Sequence, residues 1–175
     1  MIRYPILIYL PKKVILIFGL VMLFGHNLLD GIVMQGSSLK SILWYFIHQQ
    51  GFVPMGIRTI SIFYPIIPWV GVMALGYCFG SLYQSGFDTG IRKKWLLGLG
   101  LGFILIFLTL RFINVYGDPI PWSSQKNNIY TAMSFLNVYK YPPSLLFLLI
   151  TLGPGFLFLY ATESIKTKPL WTASP

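Results

Sequence analysis

Residues 95–122 read WLLGLGLGFILIFLTLRFINVYGDPIPW. From Trp95 to Leu110 no side chain carries a charge, and about 20 apolar residues in a helix cross the roughly 30 Å of bilayer hydrocarbon. The run predicts a membrane-spanning helix over about 95–113. Arg111, Asn114, Tyr116, Asp118 and Trp122 then crowd into the place where an anchor should simply end. Each has a plain structural explanation. Arg111 can complement the negative end of a helix dipole, Gly117-Asp118-Pro119 can be only a turn, and Trp122 can mark the membrane interface. Together they are more polar chemistry than an anchor requires, and the stretch is the first candidate site.

The rest of the chain supports the same class. Of its 175 residues 55% are hydrophobic and 10% charged, too few charges to cover a soluble surface. The expected fold is an all-α integral membrane protein with about four transmembrane helices and a short interfacial helix. The formal charge of +9 is what lysines and arginines beside anionic headgroups produce. Those residues are scattered among membrane segments and form no stripe, which excludes nucleic acid as a partner. The single cysteine, Cys78, excludes an intrachain disulfide and a CxxC metal or redox site. It sits in an apolar run, where an inert buried thiol is expected.

Upstream of Trp95 lies the basic run Arg92-Lys93-Lys94, and before it an apolar segment over about 60–83. This second span carries Pro65 and Pro68, which are expected to kink or break the helix. Gly71, Gly76 and Gly80, like Gly98, Gly100 and Gly102 in the next span, are expected to let a neighbouring helix approach. Residues 38–50 have apolar positions at helical spacing but are too short and polar to cross, so they predict an interfacial helix. His48, near its end, reads as a surface histidine, and residues 51–59 as a loop. The first span covers about 14–34. His26 and Asp30 within it are one helical turn apart and Asn27 shares their face. An aspartate that accepts from one imidazole nitrogen leaves the other as a base, and an ionisable pair at membrane depth is costly unless it faces protein or water. The octet from Arg3 to Leu10 is too short to span and reads as a partial helix or interfacial segment within residues 1–13.

Downstream, residues 116–138 read as a polar loop, and a fourth span over about 143–161 completes a membrane domain of residues 14–161. Its first turn follows Lys140-Tyr141-Pro142-Pro143-Ser144. Free N–H groups at Ser144 and Leu145, beside Lys140, would hold an anion. Residues 162–175 form a tail with Lys166 and Lys168. Four spans put both termini on one side, and Arg3, Lys12, Lys13, Arg92, Lys93, Lys94, Lys166 and Lys168 make that side cytoplasmic. The clusters at His26/Asp30, Tyr64/Trp69, Arg111 to Trp122 and Lys140 to Ser144 then converge on the opposite face.

At these residues the chain resembles a family. Gly-His-Asn-Leu-Leu-Asp (25–30), Tyr-Pro-Ile-Ile-Pro-Trp-Val-Gly-Val-Met (64–73), Asn-Val-Tyr-Gly-Asp-Pro (114–119), Ser-Phe-Leu-Asn-Val-Tyr-Lys-Tyr-Pro-Pro-Ser-Leu (134–145) and the later Thr-Leu-Gly-Pro (151–154) are similar to the C-terminal part of bacterial proteins related to heparan-alpha-glucosaminide N-acetyltransferase. The resemblance covers most of Leu10 to Leu159. It implies a multi-helix acyltransferase of the bacterial inner membrane that uses acetyl-CoA from the cytoplasmic side and acetylates an amine or hydroxyl of a sugar. Family members begin with further helices, an Asp-x-x-Arg-Gly motif and a histidine associated with acetyl transfer. No such stretch precedes Tyr9-Leu10-Pro11 here, so a C-terminal fragment or a shortened paralogue is expected.

The catalytic set expected on this basis is His26, Asp30, Arg111, Asn114 and Asp118. Asp30 would orient His26 to deprotonate the acceptor, Arg111, Asn114 and Lys140 would position oxygens, and Asp118 would orient a cation or bind a sugar hydroxyl. Trp69, Tyr116, Trp122, Lys140 and Ser144 would contact substrate, and Arg92, Lys93 and Lys94 would meet coenzyme A phosphates. No metal is expected. The expected partners are the bilayer, a glycan or glycolipid acceptor, and a second copy or another chain that supplies further helices. A non-catalytic membrane subunit or transporter part is the competing expectation.

Overall fold

The computed structural model describes residues 9–163. Most of the Arg3 to Leu10 octet and the tail that holds Lys166 and Lys168 lie outside the described residues. Among the described residues four helices are long and apolar enough to cross a membrane, and they form two antiparallel pairs. Helix α1 (Lys12–Gly25) opens after Pro11 and tightens into a 3₁₀ turn, His26–Leu29. The short helix α2 (Leu39–Ile47) is capped by Ser38, whose Oγ accepts from the Ser41 N–H at 3.2 Å. Helix α3 (Ile66–Phe79) continues into a 3₁₀ turn, Gly80–Tyr83. Helix α4 (Thr89–Ile113) starts at Asp88 and ends on Asn114, whose left-handed backbone (φ 58°) stops it. Helix α5 (Asn128–Leu136) is short, and α6 (Leu145–Thr162) is the fourth long helix.

Several elements differ from the sequence expectation, each for a local reason. The first span stops being α-helical at Gly25, because the polar residues 26–30 are recruited by the chain opposite. Pro65 and Pro68 do not kink a helix; Pro65 is the N-cap of α3 and Pro68 lies in its first turn, where a backbone N–H has no helical partner to lose. Residues 51–62, read as a loop and the start of a span, form a hairpin of β1 (Gly51–Met55) and β2 (Arg58–Ile62). The strands pair antiparallel from Gly51 opposite Ile62 to Met55 opposite Arg58, across a turn in which Gly56 has φ 61°. With only two strands each is an edge, which tolerates Pro54. Helix α5 replaces part of the expected loop and is capped by Asn127.

Glycine sets the helix pairing at two places. A Cβ on Gly19 of α1 would lie 2.8 Å from Leu75 Cγ, and one on Gly71 of α3 would lie 2.8 Å from Met22 Cβ. In the other pair, a Cβ on Gly100 of α4 would stand 2.6 Å from Leu157 Cδ2, and one on Gly153 of α6 would stand 2.9 Å from Ile104 Cγ1. Each pair thus meets glycine to glycine, the close approach that small residues permit in membranes. Gly76, Gly80, Gly98 and Gly102 have nothing within 4 Å of such a Cβ, so the packing role expected of them belongs to Gly71 and Gly100. Leu23, Phe107, Leu145, Leu146, Leu148 and Leu149 form the buried cluster that joins α1 to the α4/α6 pair. At the basic end, Arg92 of α4 grips Glu163 at the end of α6, with Nε to Oε1 at 2.7 Å and Nη2 to Oε2 at 2.8 Å.

Candidate functional site

The end opposite Arg92 is where the polar clusters meet. Asn27 Oδ1 accepts from the Leu145 N–H at 2.9 Å, the Gly117 carbonyl accepts from the Leu146 N–H at 2.9 Å, and the Tyr64 and Tyr141 rings stand edge to face at 5.7 Å. The Tyr116 hydroxyl donates to the Phe24 carbonyl; burial, with the Asp30 charge adding to it, pushes that phenol above its ordinary value.

The Arg111 to Trp122 stretch is spent on the fold. Arg111 is 1% exposed. It donates to four carbonyls: Nε to Phe135 at 2.8 Å, Nη1 to Ile120 at 3.2 Å, and Nη2 to Ser134 at 3.0 Å and Asn137 at 2.6 Å. Three of these belong to the last turn and cap of α5, whose carbonyls have no helical partner, so Arg111 complements the dipole of a helix other than its own. Asn114 pairs with the Trp122 backbone in both directions, at 2.9 and 3.0 Å, and the Trp122 indole donates to the Arg111 carbonyl at 2.7 Å. Asp118 accepts from the Ile120 and Tyr139 N–H groups and from Ser144 Oγ, all within 2.9 Å.

The anion site expected at the start of α6 is absent. Ser144 N–H donates to Tyr139, Leu145 N–H to Asn27, Leu146 N–H to Gly117 and Phe147 N–H to Ser144 Oγ. No donor of that first turn is left for a ligand. Lys140 instead lies over the Tyr141 ring at 5.2 Å.

The expected His26–Asp30 pair is also replaced. His26 Nδ1 lies 3.0 Å from the Leu23 carbonyl and 3.2 Å from that of Met22, and Nε2 lies 3.0 Å from the Pro143 carbonyl. A neutral imidazole donates through one nitrogen only. In any protonation state both nitrogens of His26 face carbonyl oxygens, and the ring ties α1 to the Pro142-Pro143 turn. Asp30 is oriented by His48: Oδ1 stands 3.0 Å from His48 Nε2, and Oδ2 accepts from Asn27 Nδ2 at 2.7 Å. His48, expected on the surface, is 2% exposed, and its Nδ1 is buried with no partner among the described residues.

What holds His48 in place is the hairpin. The Tyr45 ring packs on Gly51, where a Cβ would come within 2.2 Å of it, and on Val53 and Ile62. The chain therefore turns directly after α2 and carries His48, Gln49 and Gln50 over the end of α1. The signal for this site was the polar run 48–50 between an amphipathic helix and a glycine. Its spatial partner, Asp30, lay 18 residues away and could not be read from helical spacing.

Around Asp30 opens a pocket of about 450 Å³. His26, Asn27, Asp30, His48, Gln50 and Tyr139 give it polar walls, and Ile32, Val33, Phe52, Pro119, Ile120, Pro142 and Pro143 give it apolar ones. Asp30 is its one carboxylate among the described residues, and its side chain is 22% exposed. Of the ten residues expected at a catalytic or substrate position, the pocket gathers His26 and Asp30. Trp69 lies in the first turn of α3 beside Tyr64, with its indole N–H buried and without a hydrogen-bond partner among the described residues, and Trp122 packs edge to face on Phe135. No group of three or more His, Cys, Asp or Glu among the described residues could hold a metal ion.

Residues 1–116 match the family model described as heparan-alpha-glucosaminide N-acetyltransferase, catalytic. The chain belongs to this acetyltransferase family. Membership gives acetyl transfer by a membrane protein as the general activity. The matched region holds α1 to α4 with Asp30 and His48, and the motifs from Ser134 onward lie beyond it. Comparisons with curated proteins and with solved structures return no match.

Proposed function

We propose that the protein transfers acetyl from acetyl-CoA to an amine or hydroxyl of a sugar, and that the acceptor binds in the pocket around Asp30. One observation carries this reading: a carboxylate with lone pairs to spare, oriented by an imidazole and an amide, lines a largely apolar pocket of small-molecule size. In the proposed reaction the acceptor nitrogen or oxygen attacks the acetyl carbonyl carbon. The new C–N or C–O bond forms as the thioester C–S bond breaks, the acceptor's proton passes to the Asp30–His48 pair, and sulfur leaves as a thiolate that recovers a proton. The His48 Nε2 and Asn27 Nδ2 contacts hold the Asp30 carboxylate in place, and the carboxylate takes the proton itself.

Tyr139 and Phe52 line this pocket and take over the stacking role expected of Trp69 and Trp122. Gln50 is the amide this reading assigns to a sugar hydroxyl, since Asn27 is held by the Leu145 N–H and Asp30. At the other end Arg92 is spent on Glu163, while Lys94 is exposed and is the cation of the basic run this reading retains for the donor's phosphates. The reading keeps a bacterial inner-membrane protein with cytoplasmic termini, for which the sequence positions of Arg3, Lys166 and Lys168 outside the first and last spans are the support.

The test is transfer from labelled acetyl-CoA to amino-sugar acceptors by the protein in liposomes. Acetylated acceptor that depends on the protein is the expected product. Folded protein that neither binds acetyl-CoA nor labels any acceptor would overturn the reading and favour a non-catalytic membrane subunit.

A further inference from the structure

A second pocket, of about 390 Å³, lies at the basic end between the two helix pairs. It runs from Lys12 and Lys13 along Leu16 and Leu20 of α1 and is closed by Leu99 and Phe103 of α4 and Phe156 of α6. From Lys12 to Leu20 a helix rises about 12 Å, so the groove carries charge at its mouth and only apolar surface below. The carboxylates at this end are already engaged: Asp88 caps α4 through the Ile91 N–H at 2.7 Å, and Glu163 is held by Arg92. Lys12 and Lys13 are exposed and have no ion-pair partner among the described residues. Trp95, 54% exposed, sits beside them at the depth where an indole meets headgroups.

We propose that this groove binds one anionic phospholipid from the surrounding bilayer, with its phosphate at Lys12 and Lys13 and an acyl chain along Leu16, Leu20 and Leu99. Charge complementarity selects an anionic lipid over a zwitterionic one, and the apolar depth, where Leu16 and Leu20 stay 42% and 40% exposed, selects a lipid over a soluble phosphate. The site is independent of acetyl transfer and stands whether or not the acceptor pocket is catalytic.

The experiment is native mass spectrometry of the full chain released from nanodiscs of equal phosphatidylglycerol and phosphatidylcholine. Wild type should retain phosphatidylglycerol about tenfold over phosphatidylcholine, since each lysine near an anionic headgroup contributes a several-fold preference. The double variant Lys12→Gln/Lys13→Gln should bring the ratio to about one, while Lys40→Gln/Lys126→Gln, away from the groove, should leave it unchanged. Leu99→Trp, which fills the groove and keeps both lysines, should abolish retention of either lipid. Helical circular dichroism confirms that each variant is folded. A wild type that retains no lipid, a ratio unaltered by loss of both lysines, or a Leu99→Trp protein that still holds phosphatidylglycerol would each overturn the proposal.

Discussion

The Arg111 to Trp122 stretch and the turn from His26 to Asp30 both place several polar side chains at the end of a membrane helix, and they come to opposite uses. In the first, the guanidinium, the carboxamide, the indole N–H and the carboxylate all bond to backbone or to a capping serine. In the second, His26 and Asn27 are likewise spent on the backbone of the α6 approach, but Asp30 bonds, among the described residues, to two side chains and faces a pocket. Polar density along the sequence therefore says little about availability. Buried backbone groups must be paired, and in a membrane protein with long connections the side chains near helix ends do that pairing.

Breaking the first region should cost structure. Arg111→Leu leaves four carbonyls without their donor and is expected to destabilise the protein by about 3 kcal/mol or more, measured by unfolding in detergent. Arg111→Lys should recover less than half of that loss, because an ammonium cannot reproduce the guanidinium fork. Altering the second region should cost chemistry. His48→Ala, which removes the group that orients Asp30, is expected to lower acetyl transfer by about 10²-fold. A His48→Ala protein with wild-type turnover would take His48 out of the mechanism.

Smaller effects sharpen the contrast. Ser144→Ala removes the cap of α6 and the hydroxyl bound to Asp118, with an expected loss of about 1 kcal/mol of stability and little change in turnover per folded molecule. The smallest effect lies at the basic end. Its hydrogen bonds to Arg92 hold the Glu163 carboxyl below its ordinary value of 4.5. A depressed carboxyl adds stability above its unfolded value and loses it as pH falls through the folded one. The Tm advantage of wild type over Glu163→Gln should therefore shrink as pH is lowered below the ordinary value of 4.5.

The membrane class and the four spans are legible in the sequence, because uncharged runs such as 96–110 have one physical solution in a bilayer. The convergence of the clusters at one end also follows from counting spans. What escapes is set by partners distant in the chain. Pro65 and Pro68 read as breaks in a helix, yet they begin one. The hairpin at 51–62 depends on Tyr45 packing onto Gly51. The Asp30–His48 pair spans a helix and a loop, whereas helical spacing offers only the His26 partner four residues away. Arg111 was legible as a dipole partner, but the helix it caps, α5, was hidden in a segment that reads as loop.

The most direct test sets two aspartates against each other. Asp30→Asn and Asp118→Asn are equal in chemistry and differ only in what the carboxylate serves. Transfer per folded molecule and Tm would be measured for both in the same membranes. The account predicts that Asp30→Asn loses about 10²-fold in transfer with its Tm nearly unchanged, while Asp118→Asn lowers Tm and keeps most of its turnover per folded molecule. Full transfer by Asp30→Asn, or a stable Asp118→Asn protein that has lost transfer, would contradict it.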